Sequence, residues 1–195
     1  MRRANRLVFV MAAGLLLGAG TFAASISVEI SGEGAVDQKT IRVGKPVSID
    51  IYFENDQTRA GMTVGFKVHS ENISEIVHVN SPGKGLNDSG DVKGYNGFGD
   101  ASVWDLFGLF VVERSWDGKL PDTLGFGGVS NEKSYEPHQR EKKLSFEVMV
   151  PEPGTLVVDS SYYPPSGVWM FSSVPNTLPS ERPDWSGPYR FRVIE

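Results

Sequence analysis

The sequence predicts an all-β protein, an antiparallel β-sandwich that follows an N-terminal export signal. Three observations predict it. Apolar and polar residues alternate at period two in segment after segment; 22 glycines and 12 prolines punctuate those segments; and beyond the N-terminal stretch no segment sustains the helical apolar period of about 3.6 residues. A chain that repeats one-sided apolar strands must bury each apolar face against another, and two stacked sheets achieve this.

The N-terminus carries Arg2, Arg3 and Arg6, then an apolar run from Leu7 to Gly20, then Thr21-Phe22-Ala23 with Ala24 after it. That order of charged, apolar and small residues is a signal peptide over residues 1–23, cut after Ala23, leaving one domain over 24–195. A spanning helix needs roughly 20 apolar residues, and this run stops at Gly20, so no membrane span remains after cleavage. The arginine pair is followed by Ala4-Asn5-Arg6, which lacks the pattern of a twin-arginine signal, and the general secretory route to a secreted or periplasmic location is expected. Cysteine is absent, which excludes disulfides, thiolate metal sites, a cysteine nucleophile and a cysteine-linked lipid anchor. A disulfide-free exported domain points to a bacterial source. With a net charge of −5 and dispersed lysines and arginines, nucleic acid is not an expected partner.

Pro46 to Asn55 alternates strictly, with Val47, Ile49, Ile51 and Phe53 on one face and Ser48, Asp50, Tyr52 and Glu54 on the other, which is a half-buried strand. Across a polar break, Met62, Val64, Phe66 and Val68 repeat the pattern, as do Leu144, Phe146, Val148 and Val150, and later Tyr189, Phe191 and Val193 with Arg190 and Arg192 facing away. Shorter candidates are Ile26 to Ile30, Thr40 to Val43, Glu75 to Val79, Phe107 to Glu113, Thr123 to Val129, Thr155 to Asp159 and Val168 to Ser172. Together they make about eleven strands. Ala101 to Leu109 is the best helical candidate, and Ser81 to Asp100 and Val174 to Gly187 read as surface loops.

The chemistry-bearing residues form no catalytic set. His69, His78 and His138 have neither metal-ligand spacing nor a nucleophile motif beside them, and read as surface residues, His69 and His78 on the solvent side of strands. Asp105, Glu113 and Asp117 lie near Trp104 and Trp116, but a glycosidase needs two carboxylates about 5 to 10 Å apart across a cleft. Asp117-Gly118 is a natural turn and Glu113 the polar end of a strand, so the chain is read as not an enzyme. Asn87-Asp88-Ser89-Gly90-Asp91 gathers oxygen ligands around a glycine, which makes Asn87, Asp88 and Asp91 the candidate calcium ligands, without the EF-hand pattern and beside the plainer reading of a solvated loop. No other cofactor is implied. The aromatics Trp104, Trp116, Tyr162, Tyr163, Trp169, Trp185 and Tyr189 divide between core anchoring and a binding platform. Trp104, Trp116 and Trp185 are the candidate ligand-binding residues, Trp185 being best explained as a plug that closes the end of the sandwich beside the last strand.

Three stretches carry a family resemblance: Val43-Gly44-Lys45-Pro46-Val47-Ser48-Ile49-Asp50-Ile51-Tyr52-Phe53, then Gly61-Met62-Thr63-Val64-Gly65-Phe66-Lys67-Val68, then Lys143-Leu144-Ser145-Phe146-Glu147-Val148. Their order resembles the cohesin-like domains of exported bacterial proteins, within the carbohydrate-binding β-sandwich folds, over Ser25 to Asp159. The resemblance implies a jelly-roll type sandwich in which the first stretch is a strand after a short glycine-containing turn, the second packs across from it, and the third is a late core strand. Where cohesin-like chains often carry a Tyr-Asp-Pro-like segment, this one has His69-Ser70-Glu71-Asn72-Ile73. With no duplicated calcium-loop segment, the chain is similar to the receptor half of such an interaction pair. The expected function is an exported, non-catalytic module for protein interaction or cell-surface assembly, with an extracellular protein as partner. The alternative is a carbohydrate-binding domain that holds a polysaccharide on its aromatic platform, with calcium assisting.

Overall fold

Residues with alternating polarity pair in the structure into two stacked sheets, as the apolar faces require. The structure is a computed structural model and describes residues 24–55, 59–80, 108–114, 117–129, 138–161, 169–173 and 181–195. Among them are thirteen strands and no helix. The smaller sheet contains β1 (Ser25–Ser31), β4 (Pro46–Asn55), β6 (Val77–Asn80), β9 (His138–Met149) and β12 (Asp184–Trp185), in the order β12, β1, β4, β9, β6. The larger contains β2 (Ala35–Asp37), β3 (Thr40–Arg42), β5 (Arg59–His69), β7 (Gly108–Arg114), β8 (Asp122–Val129), β10 (Gly154–Ser160), β11 (Met170–Ser173) and β13 (Tyr189–Ile194). Its order is β2, β3, β13, β10, β5, β8, β7, with β11 also paired to β5. Pairing is antiparallel except between β1 and β12 and between β3 and β13, which are parallel.

The inner faces are those that the alternation marks. Val47, Ile49, Ile51 and Phe53 of β4 are fully buried, as are Val64, Phe66 and Val68 of β5, and Phe146, Val148 and Phe191 join them in one core. Each such side chain withdraws apolar area from water worth about 1.5–3 kcal/mol. The turn before β4 places Gly44 at φ +68°, the left-handed region that side chains with a Cβ rarely adopt. Between β5 and β6, buried Ile73 and Ile76 close one end of the core.

Three details depart from expectation. β9 starts at His138, well before the alternation at Leu144, because its pairing with β4 shifts register between Ile51 and Tyr52 and between Phe53 and Asn55; each shift interrupts period two and hides the strand from periodicity. Asp184–Trp185, within a stretch expected to be loop, forms a short parallel strand on the edge of β1. His78 does not sit on the solvent side: it pairs with Val148, whose side chain is inside, and its own side chain is 10% exposed. It is drawn in by Asp122 of the opposite sheet, 2.7 Å from His78 Nε2. Of the helical candidate, Leu109 belongs to β7 and residues 101–107 lie outside the described residues.

Candidate interaction surface

Among the described residues, Phe66, Trp169, Trp185 and Tyr189 form one cluster of rings. β11 and the residue before it bring Trp169 inward, where its indole N–H is shared between Gly65 O at 2.8 Å and Ser161 O at 3.2 Å. Phe66 and Trp185 stand 5.2 Å and 5.0 Å from the Trp169 ring, and Tyr189 lies 5.1 Å from Trp185. The interplanar angles of Trp185 to Trp169 and Tyr189 are 73° and 67°, an edge-to-face arrangement. Gly187 is pressed against the Trp185 indole, and Ser186 and Tyr189 hydrogen-bond beside it. Trp185 is thus half-buried and packed as an anchor beside the last strand. Trp104, Trp116 and the oxygen cluster of Asn87, Asp88 and Asp91 lie outside the described residues.

Two buried carboxylates serve the framework. Asp50 belongs to the outward-facing set of β4 yet is 2% exposed, because its neighbours in the ladder close over it. Ser31 donates to Oδ2 at 2.7 Å, and Ser48 and Ser145 to Oδ1 at 2.8 and 2.7 Å. Burial pushes its acidity down, but the three hydroxyls and the Lys142 ammonium outweigh burial and hold the carboxyl below its ordinary pKa. Asp122 also accepts the Asp117 backbone N–H at 3.3 Å, so it joins β8 to both the neighbouring turn and β6. Among the described residues no group of three or more His, Asp or Glu side chains is placed to hold a metal ion.

The outer face of the larger sheet carries polar groups of another kind. On β10, Leu156 and Val158 point into the core; Val157, of opposite parity, is 3% exposed but is not part of the core. It pairs with His69 on β5 and with Arg190 on β13, and Thr155 pairs with Arg192. Val157 floors a cavity of about 330 Å³ lined also by Glu71, Asn72, Thr155 and Arg190. Asn72 Oδ1 already accepts the Thr155 N–H and the Ser70 hydroxyl, both at 3.1 Å. Arg190, Arg192 and Glu71 form no ion pair among the described residues. His69 Nε2 is shut from solvent with no hydrogen-bond partner there. Burial, Lys67 and Arg190 push the His69 imidazole below its ordinary pKa, against the opposing charges of Asp159 and Glu71.

The two-sheet stack superposes on a type II cohesin domain from the cellulosome of Acetivibrio cellulolyticus with a TM-score of 0.51 and 16% sequence identity, covering 87% of this chain and 95% of that domain. The fold is cohesin-like. A looser likeness, with a TM-score of 0.41 and 10% identity, links the cohesin-like sandwich to a cohesin module from a Clostridium perfringens family 33 glycoside hydrolase, over 89% of this chain and 98% of that one. No protein-family model matches the sequence, and no curated protein matches it.

Sequence reasoning singled out Trp185 and noted that Arg190 and Arg192 face away from the core. It missed the Asp50 network, the His78–Asp122 link and the cavity over Val157. Asp50 looked like any solvent-facing position of an alternating strand. Its serine partners come from β1, β4 and β9, and only the strand order makes them neighbours. Val157 carried a weak signal, as the middle of an unbroken Leu-Val-Val run where strict alternation calls for a polar residue.

Proposed function

We propose that the mature chain is an exported, non-catalytic module for protein interaction or cell-surface assembly. The observation that carries this reading is the cohesin-like sandwich, whose likeness to a domain from a cellulosome covers 87% of this chain. Under it the chain is the receptor half of an interaction pair, and a sheet face or edge of about 800 Å² receives the partner. Two features support a non-catalytic role: Asp50 is held by three serine hydroxyls and Asp122 by His78 and a backbone N–H, so the two buried carboxylates among the described residues are engaged in the framework. Export rests on the arginine, apolar and small-residue order of residues 1–23. A polysaccharide ligand on Trp104, Trp116 and Trp185 is the competing outcome, with calcium at Asn87, Asp88 and Asp91.

The test is a pull-down of exported proteins of the source organism with the mature domain, run beside a polysaccharide panel with and without calcium. A saturable protein partner, reproduced with purified components, is expected. Retention on a polysaccharide, abolished by Trp→Ala changes at those three positions and accompanied by no protein partner, would overturn the reading.

A further inference from the structure

We infer that the cavity over Val157, with the guanidinium groups of β13 beside it, is a docking site for a carboxylate-bearing, acidic segment of a protein partner. This inference rests on the interaction-module reading and names the chemistry of the partner. Val157 is buried outside the core, so a small apolar floor lies beneath polar side chains instead of beneath another sheet. Among the described lining residues, the one cationic group around that floor is a guanidinium. Arg190 lines the cavity, and Arg192 lies two residues along the same face, about 7 Å away. With no ion pair among the described residues, both guanidiniums are available to an incoming anion. Asn72, also in the wall, has its oxygen engaged by the Thr155 N–H and the Ser70 hydroxyl.

Two guanidiniums without ion pairs among the described residues call for an anionic ligand, and a guanidinium fork matches a carboxylate with two parallel hydrogen bonds. The chain carries a net charge of −5, so this strip is locally basic on an acidic molecule and directs an acidic partner to one place. Glu71 is the one carboxylate among the described residues of the cavity wall; it limits how closely a second negative charge can approach and so sets the register of the segment. No aromatic ring is among the described residues that line the cavity, so these residues offer no stacking surface of the kind a sugar uses, which favours a peptide over an acidic polysaccharide.

The probe is a fluorescein-labelled peptide of alternating glutamate and serine, followed by anisotropy with the mature domain, with a lysine-and-serine peptide and oligogalacturonate in parallel. The acidic peptide should bind saturably and more weakly as salt rises. Arg190→Gln should weaken binding about tenfold or more, Arg190→Lys should recover part of the loss, and Glu71→Gln should tighten it by removing a like charge. Arg140→Gln, on the opposite sheet, should leave binding unchanged, and thermal unfolding should confirm that each variant is folded. Equal affinity of the parent and Arg190→Gln overturns the inference, as does Arg190-dependent preference for oligogalacturonate. A protein partner captured equally by the parent and by Arg190→Gln leaves the interaction module standing and removes this site from it; the absence of any protein partner strikes the module itself.

Discussion

Asp50 shows how far a single residue can depart from its place in a pattern. Its carboxylate accepts three hydroxyl hydrogen bonds, and a hydrogen bond to a charged group makes a net contribution of about 1.5–3 kcal/mol. Because the folded-state pKa lies below the ordinary value, the stabilisation is fully present above about pH 4 and is lost as pH falls through the lower folded value. Asp50→Asn should therefore cost about 1–3 kcal/mol at neutral pH, with the difference from the parent shrinking as pH falls below about 4. Denaturant titrations across that range check it, and an equal difference at pH 3 and pH 7 would refute it. Trp169, buried, and Trp185, half-buried, offer a second comparison. Trp169 shares its N–H between two carbonyls, whereas the Trp185 N–H is buried with no acceptor among the described residues. Trp169→Phe should lose about 1–2 kcal/mol more than Trp185→Phe, and equal losses would mean that the hydrogen bonds of Trp169 contribute nothing net.

The strands β4 and β5 are the central elements of their sheets, each paired on both edges. Phe66 illustrates the consequence: fully buried, it meets Trp169 at 5.2 Å and Trp185 at 6.1 Å. Truncation there opens a cavity that fixed strands on both sides cannot collapse. Phe66→Ala should cost about 3–5 kcal/mol, and Phe146→Ala a similar amount; a loss under about 1 kcal/mol in either would mean that the register assigned to its strand is wrong. The long strand β9 makes a related point. Its two register shifts against β4 insert unpaired residues, and such bulges bend a strand and redirect the residues beyond them.

At the scale of the whole molecule, the sheets are joined by core packing and by the link between His78 of β6 and Asp122 of β8, whose side chains are 10% and 0% exposed. Asp122→Ala leaves His78 of the opposite sheet and the Asp117 backbone N–H to find new partners, and should cost about 1–3 kcal/mol in chemical unfolding. The double change with His78→Ala should cost less than the sum of the single changes, since the two share one interaction; strict additivity would show that the pair is not coupled. The two sheets also differ on their outer faces. The smaller closes its central polar residues over Asp50, while the larger leaves Arg190 and Arg192 without ion pairs among the described residues, which is where the acidic-peptide experiment discriminates.

The sequence by itself determined the class of fold and the inner faces of the principal strands. Val47, Ile49, Ile51 and Phe53, Val64, Phe66 and Val68, and Phe146, Val148 and Phe191 could be assigned to the core because side chains in a strand alternate sides at period two, which is a local property of the backbone. Signals of that kind do not reach across strands. Which strand lies beside which is set by long-range pairing, so the meeting of Ser31, Ser48 and Ser145 at Asp50, the approach of His78 to Asp122, and the placing of Arg190 beside Val157 and Glu71 were decided only by the tertiary structure. The short strand at Asp184–Trp185 belongs with them, because two residues carry no period of their own and become a strand only through the free edge that β1 offers.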